Sequence, residues 1–150
     1  MSKLLDACAH EIMDTAPQIM QAIRMEMRRG RDSNISVPQF RALRFIQRNP
    51  DSALSTLAEH LGLTLPSVSK LVDGLVKQKL ITRKESTADR RRLTLVLTQA
   101  GTSIVDVARA DARANLAKKM AGLSNAELQT ITAAMLLLRP LFINQSEQTS

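Results

Sequence analysis

Apolar residues recur along this chain at two different periods, and the switches between them mark out its elements. From Ser2 to Arg29, residues Leu5, Cys8, Ile12, Ala16, Ile19, Ile23 and Met27 fall three or four apart, the spacing of one helix face. Pro17 lies inside that run and removes a backbone donor, so the pattern predicts two segments with a kink or restart between them. A short polar connector follows from Gly30 to Asn34. Ser36 and Gln39 then have the spacing of a capping box, with Pro38 in the first turn, and open a helix to Arg48 whose stripe is Phe40, Leu43 and Phe45 or Ile46.

The stretch from Ser55 to Leu97 organises the rest. Leu57, Ala58, Leu61, Val68, Leu71, Val72 and Leu75 are spaced to form the facing sides of two short helices, with Gly62 between them. A tight helix-turn-helix needs a small residue at the close approach, a residue that tolerates positive φ at the turn, and branched aliphatics on the second helix. Ala58, Gly62, Val68 and Leu71 supply these in order. An ordinary helical hairpin would show the same apolar spacing. Thr64 can cap the second helix and Pro66 falls in its first turn, which sets the register. Pro66, Ser67, Lys70 and Asp73 or Gly74 then point outward, with Ser69 at the margin. Hydroxyls and a cation on such a face suit a major groove, although plain solvation gives a similar face.

Beyond this helix the period changes to two. LITRKE and RLTLVLT read as strands, the second with Leu93, Leu95 and Leu97 alternating against Arg92, Thr94 and Val96, and the polar STADRR between them reads as a turn. The hairpin tip gathers Arg90, Arg91 and Arg92 beside Asp89. Like charges so close repel unless an anion lies between them, and guanidinium groups on a slim ribbon can reach a narrow minor groove. Asp89 is expected to orient Arg91 rather than to touch nucleic acid. A solvated tip with weak surface ion pairs is the bland alternative. After the hairpin, Thr98 caps a long helix to about Met120, with the stripe Ile104, Ala108, Ala112, Leu116 and Met120. A second capping box, Ser124 with Glu127, starts a last helix that runs to about Phe142 through Pro140.

The order helix-turn-helix, DRRRLTLVLTQAG and long helix resembles the MarR family of bacterial winged-helix transcriptional regulators. The resemblance runs from about Ala16 to Phe142, and its most specific part is Asp89, Arg91, Leu97, Thr98 and Gly101. One departure stands at Lys79, where such proteins often carry Gly before the strand. The expected fold is mainly α with a small β-hairpin wing: a winged helix-turn-helix lobe at 35–99, flanked by N- and C-terminal dimerisation helices at 1–34 and 100–145. The apolar stripes of the first and last helices exceed what a small monomer easily covers, which points to an intertwined homodimer, although they could instead pack on each other within one chain. Two recognition helices about 34–36 Å apart would require a pseudo-palindromic operator in double-stranded DNA. By the same resemblance, a small apolar or anionic effector would lodge near Met20, Arg24, Phe40 and Arg44.

Composition narrows the partners. The 150 residues carry a net charge of +7, and residues 64–98 hold an excess of five cations, so most of the charge falls on the DNA-binding unit. Three Phe and no Trp or Tyr disfavour a single-strand RNA binder that stacks bases on aromatic rings. No apolar run approaches a membrane span and Met1–Ala9 lacks a signal-peptide pattern, so a cytoplasmic protein is expected. The single Cys8 cannot form an internal disulfide.

No catalytic constellation, phosphate loop or cofactor motif is visible, and an enzyme is not expected. Asp6, His10 and Asp14 share a helical face, yet two ligands on one turn do not make a metal site. Some relatives of the family it resembles sense peroxide through a first-helix cysteine supported by tyrosines. Cys8 therefore offers a redox-sensing alternative, weakened by the absence of Tyr and by its place on the apolar stripe. A non-specific architectural DNA-binding dimer is the other alternative.

Overall fold

The computed structural model describes residues 2–30, 34–85 and 93–143. They form α1 (Lys3–Arg29), α2 (Val37–Arg48), α3 (Leu54–Leu61), α4 (Leu65–Lys77), β1 (Ile81–Glu85), β2 (Leu93–Leu97), α5 (Gln99–Lys119) and α6 (Asn125–Ile143). Caps fix most of the helix starts. Ser36 and Gln39 exchange both hydrogen bonds of the capping box, as do Ser124 and Glu127. Thr64 accepts from the Ser67 amide, and Thr98 accepts from that of Gly101.

One expectation fails: α1 is a single helix through Pro17, not two segments. Proline there deletes one bond, to the Met13 carbonyl, on a stretch exposed enough for water to replace it, and the turns on either side keep their own bonds. The stripe along α1 is covered only near its C-terminal end, where Met27 is buried. Cys8 is exposed in the single chain.

The chain divides into two compact units, Met1–Arg113 and Ala114–Ser150. In the first, Phe40, Leu43 and Ile46 of α2 meet Leu57 of α3, Val68, Val72 and Leu75 of α4, Ile81 and Leu95 of the hairpin, and Val105 and Ala108 of α5. Each of the larger side chains contributes roughly 1.5–3 kcal/mol of burial when fully enclosed. The second unit contains the end of α5 and α6, whose Leu136, Leu137, Leu141 and Phe142 remain exposed.

The antiparallel hairpin pairs Ile81 with Leu97 and Glu85 with Leu93. Strict alternation on β2 does not hold: Leu93 is exposed and Thr94 buried. Ser52 adds an isolated bridge to Leu95, accepting from its amide at 2.9 Å. The Thr94 hydroxyl donates to the Lys84 carbonyl, so its burial leaves no unmet donor.

Candidate nucleic-acid interface

Two consecutive helix ends set the angle of the candidate reading helix. At Gly62, φ is +67° and the Leu63 amide donates back to the Ala58 carbonyl, closing α3 with a Schellman motif. α4 closes the same way: Leu80 N–H donates to Leu75, Lys79 N–H to Val76, and Lys79 takes φ +59°. The position where the resembled family often has Gly is thus left-handed here too, held by a lysine. Such a residue costs roughly 1 kcal/mol relative to Gly.

Between these ends, Val68, Val72 and Leu75 are buried and Leu71 is half-buried, so α4 is locked against the core by one face. The other face presents Pro66, Ser67, Lys70 and Asp73 to solvent, with Ser69 half-buried beside them. Thr64 is engaged in the cap, and its hydroxyl donates to Ser67 Oγ at 2.9 Å. Asp73 forms an ion pair with Arg83 of β1, which joins α4 directly to the hairpin. Asp89, Arg90, Arg91 and Arg92 lie outside the described residues. The strands leading to them position the hairpin against α4 through Leu80 and Ile81, both buried.

A second cluster lies on α2 and its neighbours. Arg44 is half-buried; burial, then the like charges of Arg48, Arg109 and Arg24, lower its pKa from the ordinary value. Among the described residues none of these four arginines has a carboxylate partner at ion-pair distance. Arg24 and Arg44, both anticipated as effector contacts, are therefore neighbours in charge. Phe40 is buried in the core, and Met20 is exposed on α1. Arg48 and Arg109 were not anticipated. Arg41, Arg44 and Arg48 sit three and four apart, a signal readable from spacing alone, whereas Arg109 joins them only through the packing of α5.

His60 stacks on Phe45 with ring centroids 4.4 Å apart. Burial lowers its pKa from 6.5, and Arg41, Arg44 and Arg48 lower it further. His10 Nε2 lies 3.2 Å from Asp14 Oδ2, and among the described residues no three potential metal ligands converge. No helix among them is long and apolar enough to cross a membrane.

A capped helix-turn-helix followed by an antiparallel hairpin defines a winged helix-turn-helix. Residues 33–92 match the sequence model of the MarR family, and this lobe is similar to that family's winged helix. The chain as a whole has the fold of that family's transcriptional regulators. It is similar to transcriptional regulator Tm0710 from Thermotoga maritima, at 22% identity and TM-score 0.78 over 93% of this chain and 99% of that one. RV1404 from Mycobacterium tuberculosis aligns at 25% identity and TM-score 0.62, covering 91% and 95% of the two chains. A point mutant of S. aureus MepR, solved bound to an oligodeoxyribonucleotide, aligns at 21% identity and TM-score 0.57 over 89% and 96%. No match was found among curated protein sequences.

Proposed function

We propose that this chain is a cytoplasmic, sequence-specific regulator of transcription that binds double-stranded DNA as a homodimer and represses from a pseudo-palindromic operator. The observation that carries the reading is α4 itself: locked by Val68, Val72 and Leu75, it offers Ser67 and Lys70 on a free face beside a basic hairpin. The similarity to MepR, solved with an oligodeoxyribonucleotide, supports the same partner. Thr64, Pro66, Ser67, Ser69 and Lys70 form the major-groove face, and Asp89, Arg90, Arg91 and Arg92 form the wing. The role is regulatory rather than enzymatic.

Dimerisation uses the helices flanking the 35–99 lobe. Leu4, Leu5 and Met13 on α1 and Leu137, Leu141 and Phe142 on α6 are exposed, a larger apolar surface than a monomer comfortably leaves in water. Regulation uses the arginine cluster. Arg44, crowded by Arg24, Arg48 and Arg109, is relieved by a small anion, with the exposed Met20 supplying apolar contact, whereas Phe40 is committed to the core. Such an effector acts only if it prefers the lobe spacing that does not fit two successive grooves.

Selection of bound duplexes from random sequence tests the reading, followed by sedimentation of the complex. Enrichment of a two-fold-related motif bound by two chains supports it; a monomer that ignores duplex DNA at low salt overturns it. Screening small organic anions for release of the selected duplex then tests the effector role, with Arg44→Ala expected to abolish the response.

A further inference from the structure

A titratable ring borders the arginine cluster. His60 of α3 lies face to face with Phe45 of α2, ring centroids 4.4 Å apart and planes 27° from parallel. Arg41, Arg44, Phe45 and Arg48 fall at the spacing i, i+3, i+4 and i+7, which is one face of α2. The ring stack therefore seats the imidazole on the same face as the three arginines. Arg24 of α1 and Arg109 of α5 bring further positive charge to Arg44.

Negative charge does not balance this face. Among the described residues no carboxylate lies at ion-pair distance from His60 or from these arginines. Glu59 precedes His60 on α3, and Asp106 of α5 accepts from the Gln47 side chain at 2.8 Å; neither pairs with the imidazole. Burial, then Arg41, Arg44 and Arg48, hold the His60 pKa below 6.5. An anion seated among the arginines cancels their repulsion of a charged ring. Such an effect needs proximity rather than contact, because exposed charges act on one another over roughly a Debye length. Linkage is reciprocal: if the anion favours the imidazolium, the imidazolium favours the anion by the same factor.

We propose that His60 is the proton-switchable member of the anion site: an anion held by Arg44 and its neighbours binds together with a proton taken from solvent by His60, so that binding strengthens as pH falls. This rests on the anion-effector reading above and adds to it the residue that ties effector strength to pH.

The test uses the full-length chain with inorganic sulfate as the probe, since sulfate stays a dianion from about pH 7.5 to 5.5, the range over which an ordinary histidine titrates. Chloride at equal ionic strength accounts for screening. The chain has two histidines, so NMR follows both imidazoles, with His10 beside Asp14 on α1 as the internal reference. Sulfate, relative to chloride, should raise the titration midpoint of His60 and leave that of His10 in place. Its affinity, read from the Arg44 Nε–H signal, should tighten about twofold to tenfold across that range. In His60→Gln sulfate should still bind, and the tightening should vanish. Arg44→Gln should raise the His60 midpoint without any sulfate and abolish the response to it. Equal sulfate affinity at both ends of the range, or the same pH dependence in His60→Gln, overturns the proton coupling and leaves anion binding standing. Sulfate that moves the Arg44 signal no more than chloride does overturns both.

Discussion

Gly101 lies against the backbone of Leu80 so closely that a Cβ on it would stand 2.2 Å from the Leu80 carbonyl oxygen. That carbonyl also accepts from the Thr98 amide, and the Thr98 hydroxyl donates to Lys79 at 2.7 Å. The start of α5 is thus strapped to the turn that leaves α4, where no side chain fits. Gly101→Ala gains about 1 kcal/mol of helix propensity but forces apart two backbones, a net loss of about 2 kcal/mol or more. Urea unfolding should show a lower midpoint. Gly122→Ala, with nothing near its added Cβ, should stay within about 0.5 kcal/mol of the parent.

Lys79 and Gly62 occupy equivalent positions in two Schellman motifs, at φ +59° and +67°. Lys79→Gly should therefore stabilise the fold by roughly 0.5–1 kcal/mol, the relief of left-handed strain less the entropy that glycine adds to the unfolded chain. Gly62→Ala should destabilise it by about 1 kcal/mol, although open space surrounds the added Cβ. Opposite shifts in thermal midpoint would confirm that backbone conformation, rather than packing, sets both effects.

These positions show what could be read in advance. Ser36 with Gln39, Thr64 with Pro66, and Ser124 with Glu127 were legible because each cap is a local interaction, complete within four residues. The outward face of α4 was legible for the same reason: once the register is set, the helical period does the rest. Alternation along the sequence does not foretell an exposed Leu93 and a buried Thr94, because β2 also meets residues from outside the hairpin, as in the Ser52 bridge to Leu95. Pro17 was misjudged because its cost is one bond in water, less than the cooperativity of a long helix. Arg109 was missed because its neighbours on α1 and α2 are brought to it by tertiary packing.

His60 should make the fold sensitive to mild acid. In the unfolded chain it protonates near 6.5, and in the folded chain lower, because of burial and then Arg41, Arg44 and Arg48. Between those two values the unfolded state holds more protons. Stability from this group is thus complete above the unfolded pKa and declines as pH falls through 6.5 toward the folded value. Thermal midpoints from about pH 7.5 to 5.5, the range that spans an ordinary histidine, should fall more steeply for the parent than for His60→Gln, which keeps a polar planar group near Phe45 but cannot titrate. Parallel curves would show that neither burial nor the arginines of α2 lowers the His60 pKa in the folded chain.

Lys70 and Asp73 lie on the same exposed face of α4 with opposite charges, and the salt dependence of DNA binding should report them with opposite signs. Each phosphate neutralised by a cation releases counterions and steepens the dependence by about 0.9. Lys70→Ala, present twice in a dimer, should flatten the slope by about two if it meets phosphate, weakening all sequences equally. If it reads a base, the slope should change less and the preferred base at one position should relax. Asp73→Asn removes a repelling carboxylate and releases Arg83 from its ion pair. Affinity should rise and the slope steepen, with little change in fold stability because an exposed pair contributes only about 0–1 kcal/mol. Anisotropy titrations on one operator and one scrambled duplex, at several salt concentrations, separate these outcomes. An unchanged slope for both variants would place this face of α4 away from the phosphate backbone.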